Sequence, residues 1–219
     1  MRKIPFFNAL HCSVHSLIRL PFTLALLLVV IVAALKTSTI GGKLSNSWRR
    51  RVGYAPRDLW ILEVWRIVTS ALVTSGGRSF WQALFLIAMT VGAIEWIAGT
   101  LWAVLVFWGV HMATMVIESL LLSGSLVTSG ISKNRVIETS RDVGSSAGYF
   151  GSLGFALSFL PKRLTILAGS SIGLGLLLVF GLNKRRSSHP SQRLADLAHL
   201  IAFPLGWLLG WGNRKKILG

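Results

Sequence analysis

Gly144-Ser145-Ser146-Ala147-Gly148-Tyr149-Phe150-Gly151-Ser152-Leu153-Gly154 opens a hydrophobic stretch that runs on to Leu160. Its small residues Ala147, Gly151, Gly154 and Ser158 recur at helical spacing. Such a stripe lets two membrane helices approach closely. A second stripe, Ala195, His199, Ala202, Gly206 and Gly210, lies in the stretch from Leu194 to Trp211. One hydrophobic segment separates the two, so as helices they run in the same direction and can meet face to face. His199 lies on its stripe, and Ser146 stands one position before its own. Both fall near helix N-termini, at the same depth on the same side. A serine hydroxyl is a weak nucleophile until a base takes its proton, and a neutral imidazole in reach can do so. Backbone N–H groups at the start of the first helix would face a developing oxyanion. The same residues also admit a structural role, with Ser146 capping its helix and His199 hydrogen-bonding between helices. Spacing alone leaves both readings open.

Four more hydrophobic segments surround this pair. Segment 1 covers about 20–35, segment 2 about 80–98, segment 3 about 101–122, segment 4 about 144–160, segment 5 about 164–182 and segment 6 about 194–211. A bilayer span needs roughly 20 apolar residues. Composition agrees: 53% of the 219 residues are hydrophobic and 14% charged, against about 25% charged in soluble domains. Backbone polar groups in hydrocarbon must be paired internally, so the spans should be helices. The fold class expected is therefore an all-α membrane protein, with a six-helix membrane domain over 20–212. It is flanked by a basic N-terminal segment, 1–19, and a basic tail, 213–219.

The net charge of +16 comes from 23 Lys and Arg against 7 Asp and Glu. The basic residues are spread over the loops, which points to contact with anionic headgroups rather than to nucleic acid. The basic start followed by segment 1 is read as a retained span and not as a secretory signal. Between segments 1 and 2, Trp48, Trp60 and Trp65 stand among Arg49, Arg50, Arg51, Arg57 and Arg66. That mixture suits a stretch lying at headgroup level. Cys12 is the single cysteine and can form no internal disulfide. No metal-ligand cluster, phosphate loop or cofactor motif is found, so neither cofactor nor metal is expected.

Ionisable residues inside spans need a reason. Glu95 closes segment 2, while His111 and Glu118 sit one heptad apart on segment 3. These three make a small transporter or channel a competing reading.

The ordered residues resemble the rhomboid intramembrane serine proteases. Gly144-Ser145-Ser146 resembles the glycine and nucleophile that open the family's fourth helix, and Phe150 the aromatic flanking its histidine. Ala198-His199, with Ala202 and Gly206 three and seven positions on, resembles the sixth-helix motif. Trp65-Arg66 resembles the pair in the long first loop, and Glu95 with Gly99 the end of the second helix. The likeness covers about 60–212. It implies a six-helix rhomboid-like bundle, Ser146 as nucleophile, His199 as base, and transmembrane segments of other proteins as substrates. It also implies helix packing through Phe150, Ala202 and Gly206.

Four positions depart from the family. Ala147 and Ala202 replace glycines. Counted back from Glu95, the family's oxyanion-holding His and Asn fall at Ser79 and Ala83. The candidate substitutes are Arg78, Ser79 or Gln82, Gln82 with an amide donor, and Gly144, Ser79 and Gln82 are the residues expected to support the oxyanion. The departures open a second reading, a pseudoprotease that binds or escorts membrane clients. The expected location is the plasma membrane, with an organellar membrane as the alternative. The family's topology puts both termini in the cytoplasm, yet that side carries 8 Lys and Arg and the catalytic side 15, the reverse of the positive-inside rule.

Overall fold

Pro21 begins the first helix, α1 (Pro21–Thr37), at the position where a missing N–H is harmless. The computed structural model describes residues 19–128, 139–186 and 190–218. Most of the basic N-terminal segment, including Cys12, lies outside the described residues, as do parts of the loops before segments 4 and 6. Arg19, which is described, sits over the Trp96 ring at 5.5 Å.

Three short helices follow: α2 (Asn46–Val52), α3 (Pro56–Trp60) and α4 (Trp65–Leu72). Next comes a continuous rod built from α5 (Arg78–Leu86), a π-helical turn (Ile87–Val91) and α6 (Gly92–Ala98). Gly99 breaks it at φ 90°, a conformation that costs glycine little. The chain then reverses into α7 (Thr100–Thr128), followed by α8 (Ser146–Leu157), α9 (Lys162–Arg186) and α10 (Pro190–Leu218). The described residues are mostly helical, with no strand beyond two isolated bridges, Lys43 with Gly76 and Tyr54 with Asp142.

Among the described residues, four helical stretches are long and apolar enough to cross a membrane: Arg78–Ala98, Thr100–Leu122, Lys162–Asn183 and Ser191–Ile217. This is a membrane-embedded protein on that ground. The other two expected segments are shorter, with 17 residues in α1 and 12 in α8. Segment 4, expected to reach Leu160, stops being helical at Leu157, just before Pro161.

α8 occupies the centre. It packs most extensively on α10, then on α7 and the π-helical turn. Phe107, Phe155, Ile87, Val91, Val106 and Ala202 are fully buried around it. The expected meeting of the two small-residue stripes is seen. A Cβ on Gly206 would collide with the Gly151 carbonyl, one on Gly154 with the Phe203 carbonyl, and one on Gly210 with Ser158 Oγ. From Gly151 against Gly206, through Gly154 against the Trp207 nitrogen, to Ser158 against Gly210 the residue numbers rise together, so α8 and α10 are parallel. α9 packs mainly on α10, and Leu164, Leu167, Leu174, Leu177, Leu178 and Leu182 face outward. An apolar exterior of this kind suits lipid contact.

Glu95 fixes α1 against the rod. Its carboxylate accepts from the Phe22 N–H (2.9 Å), the Thr23 N–H (2.8 Å), the Thr23 hydroxyl (2.7 Å) and the Thr100 hydroxyl (2.8 Å). The first two donors belong to the open N-terminus of α1, where a negative charge also meets the helix dipole.

Candidate functional site

The stretch between α1 and the rod is more structured than a flat interfacial segment. Arg66 Nη1 donates to the carbonyls of Arg50 (2.9 Å) and Arg51 (2.7 Å), closing the C-terminal end of α2. Its guanidinium lies 4.6 Å over the Trp65 ring and pairs with Glu63. Asp58 is buried and takes a two-pronged contact from Arg141, at 2.7 and 3.1 Å. Arg141 also donates to the Gly53 carbonyl at 2.8 Å. Tyr54 and Asp142 exchange backbone hydrogen bonds, and the Gly144 N–H donates to the Ser70 carbonyl at 2.9 Å. The first loop thus holds residues 141–144 in place immediately before α8 begins. Between Trp60 and Trp65, Ile61, Leu62 and Val64 are exposed together with both tryptophans.

Ser146 is the first residue of α8. The helix is only about 18 Å long at 1.5 Å per residue, well short of a bilayer's hydrocarbon thickness of about 30 Å. The space at its start is a cavity of about 640 Å³. Ser146, His199, Gly144, Ser79 and Gln82 all line it. The five residues expected to carry or support catalysis therefore share one wall-to-wall space. Gly206 and Ala202 lie further along α10, and Ala202 is fully buried. Phe150 stacks on the His199 ring at a centroid distance of 4.2 Å.

Among the described residues, no side-chain cap closes the start of α8 and no hydrogen bond reaches His199 Nε2. The N-cap of α8 is Ser145, which makes no side-chain capping bond. His199 Nε2 is buried and, among the described residues, has no hydrogen-bond partner. Ser146 does not donate to it in this state, and the imidazole is held by ring contact. The first N–H groups of α8, from Ser146 to Gly148, have no acceptor within the helix and stand at the cavity's end.

Several cavity residues escaped the sequence reading: Arg49, Thr74, Ser145, Asp142, Tyr149 and Asp196. Asp196 carried a usable signal, because a residue three positions before His199 shares its helix face. Asp142 carried none, since the loop that places it has no periodicity. Asp142 is partly buried, and burial pushes its carboxyl up to about 6, with the nearby Arg49 pulling the other way and Asp196 adding to the rise.

The polar residues of α7 are placed separately. His111 Nε2 bonds to the Ile67 carbonyl at 2.9 Å, not to Glu118. Glu118 is buried beside a small cavity that also touches Tyr54, Asp142 and Ser146. No family model matches the chain, and no curated protein matches it.

Proposed function

We propose that this protein is an intramembrane serine endopeptidase of the rhomboid kind, cutting transmembrane segments of other membrane proteins. In this reading α1 and α8 join the four long helices as six membrane segments. The observation that carries it is the shared cavity. Ser146 and His199 both line it at the start of a short central helix, and among the described residues His199 Nε2 has no hydrogen-bond partner.

The chemistry follows from those positions. His199 Nε2 takes the Ser146 proton as Oγ attacks the scissile carbonyl carbon. The oxyanion is met by the first N–H groups of α8, with the Gln82 amide or the Ser79 hydroxyl from the facing wall. His199 then returns its proton to the leaving amine as the C–N bond breaks. Water attacks the acyl ester, releases the new carboxyl end and restores Ser146. A short α8 supports this sequence, because it leaves a water-accessible space where a full-length span would fill it.

Cleavage of a transmembrane substrate by the reconstituted chain tests the reading, with Ser146→Ala and His199→Ala as controls. Activity lost in both supports it, and cleavage that persists in Ser146→Ala overturns it. A second reading, a non-cutting client binder, is favoured by Ser79 and Ala83 standing where the family has its helix-2 donors. Covalent labelling of Ser146 by a fluorophosphonate separates the two, since only an activated serine reacts.

A further inference from the structure

The chain holds only seven acidic residues, and most of those described are engaged. Asp58 and Glu63 face Arg141 and Arg66. Glu95 caps α1. Glu118 lies behind the site, on the smaller cavity. The remaining two described acids, Asp142 and Asp196, both line the cavity that holds Ser146 and His199. Asp142 Oδ1 accepts from the Val143 N–H at 2.9 Å, and Asp196 Oδ2 accepts from Asn183 at 2.8 Å. No hydrogen bond reaches the other oxygen of either among the described residues. Among the described residues neither forms an ion pair, although the protein as a whole carries +16.

A second observation points the same way. Thr74 and Ser145 line the same cavity, are 4% and 1% exposed, and their hydroxyl oxygens have no partner among the described residues. Together with the carboxylate oxygens these hydroxyls give the cavity more acceptor sites than donors, even counting the unpartnered Arg49 Nε and the donor on each hydroxyl. One guanidinium, that of Arg49, shares the space. Two carboxylates against it leave the cavity negative within a basic molecule. Lysine and arginine offer three and five N–H donors and no acceptor, which fits this set.

We propose that Asp142 and Asp196 select membrane-spanning substrates that carry a lysine or arginine beside the peptide bond presented to Ser146. The inference rests on the endopeptidase reading and names its substrate class. Asp142 is faced by Arg49 from α2, Asp196 from α10, Glu118 from α7, Tyr54 across its bridge and Tyr149 from α8. Its carboxyl, raised to about 6 by burial, is ionised at neutral pH and neutralised in mild acid, so the preference fades as pH falls below 6.

The test uses the full chain carrying Ser146→Ala, which binds without cutting, in nanodiscs. Three transmembrane peptides differ only in one juxtamembrane residue: Arg, Gln or Glu. The Arg peptide should bind roughly tenfold tighter than the Gln peptide at pH 7.5, as a charge-assisted hydrogen bond predicts, and the Glu peptide weakest. The gap should narrow several-fold at pH 5. Asp142→Asn and Asp196→Asn, each near-isosteric and able to keep its acceptor, should each reduce it, and the double variant should abolish it. Equal affinity for all three peptides, no binding of any, or a preference unchanged in the double variant overturns the proposal. Cleavage by the unsubstituted chain is read separately. An Arg preference in binding without any cleavage leaves the subsite standing and overturns the endopeptidase reading; cleavage without preference does the reverse.

Discussion

The Phe150 ring lies against the imidazole of His199, with centroids 4.2 Å apart and planes 30° from parallel. No hydrogen bond to Nε2 shares the work of holding that ring, so its orientation depends on this contact. An aromatic pair is worth about 0.5–1.5 kcal/mol beyond area burial. Phe150→Leu should therefore slow fluorophosphonate labelling of Ser146 by roughly two- to tenfold, whereas Phe150→Tyr should hold the rate close to the unsubstituted value. Labelling time courses, with His199→Ala as the floor, check this.

The α8–α10 contact predicts an intolerance to single methyl groups. A Cβ at Gly206 meets the Gly151 carbonyl, which is backbone and cannot swing aside. Overpacking costs about 1–3 kcal/mol, so Gly206→Ala should lower the thermal unfolding midpoint in detergent by several degrees. It should also reduce labelling, because the contact sets the distance between Ser146 and His199. Gly173→Ala on α9 is the control. Its Cβ meets nothing within 4 Å, and the midpoint should hold or rise.

Glu95 is predicted to act through α1 and not through the chemistry. Glu95→Ala leaves the Phe22 and Thr23 N–H groups without their acceptor, at about 1–3 kcal/mol for a buried unsatisfied group. Glu95→Gln keeps one carbonyl oxygen and should cost less. Thr23→Val removes one of the same bonds, so its effect and that of Glu95→Ala should fall short of additive. Denaturation of the two single variants and the double variant measures the coupling. In proteoliposomes, solute flux that depends on Glu95 or Glu118 would point to transport instead.

Asp142 gives a pH dependence of defined sign. Its carboxyl is raised to about 6 in the folded chain, against about 3.9 when unfolded. Above 6 the ionised group is held in a buried place, which destabilises the fold. As pH falls through 6 the folded state takes up a proton that the unfolded state does not yet bind, so the penalty fades, and it is gone below about 4. Asp142→Asn never carries the charge. It should melt higher than the unsubstituted chain at pH 8, with the difference shrinking through pH 6 and vanishing near pH 4. Paired melts across that range decide it.

The reach of the sequence differed from element to element for physical reasons. Gly151, Gly154, Gly206 and Gly210 announced the α8–α10 interface because close approach permits only small residues, and periodicity shows where they point. The spacing of Glu95 and Gly99 marked the end of the rod through the family resemblance, and Gly99 does stop it at positive φ. The loop from Lys36 to Arg78 was legible in composition but not in shape. Its tryptophans and arginines fit an interfacial segment, while Arg66 capping α2 and Arg141 clasping Asp58 are contacts between residues far apart in sequence. Asp142 entered the cavity through that same loop geometry. On α7, the heptad spacing puts His111 and Glu118 on one helix face, but it did not show the Ile67 carbonyl on α4 that takes His111. The length of α8 was not legible: the apolar run of 17 residues from Gly144 to Leu160 contains a 12-residue helix.

The π-helical turn at Ile87–Val91 sits between Glu95 and the residues that face Ser146. Such a turn carries one residue more than an α-helix of the same rise accommodates. It therefore acts as a phase shifter: below it, positions keep step with Glu95, and above it every side chain is displaced around the axis by about 100°. Ser79, Gln82 and Ala83 reach the cavity wall on the far side of that shift. Two chains matched by their glutamate would stay in register along α6 and lose it along α5 wherever only one of them has the extra residue. The identity of the groups on the cavity wall is then set as much by an insertion in the middle of a helix as by the residues at its mouth.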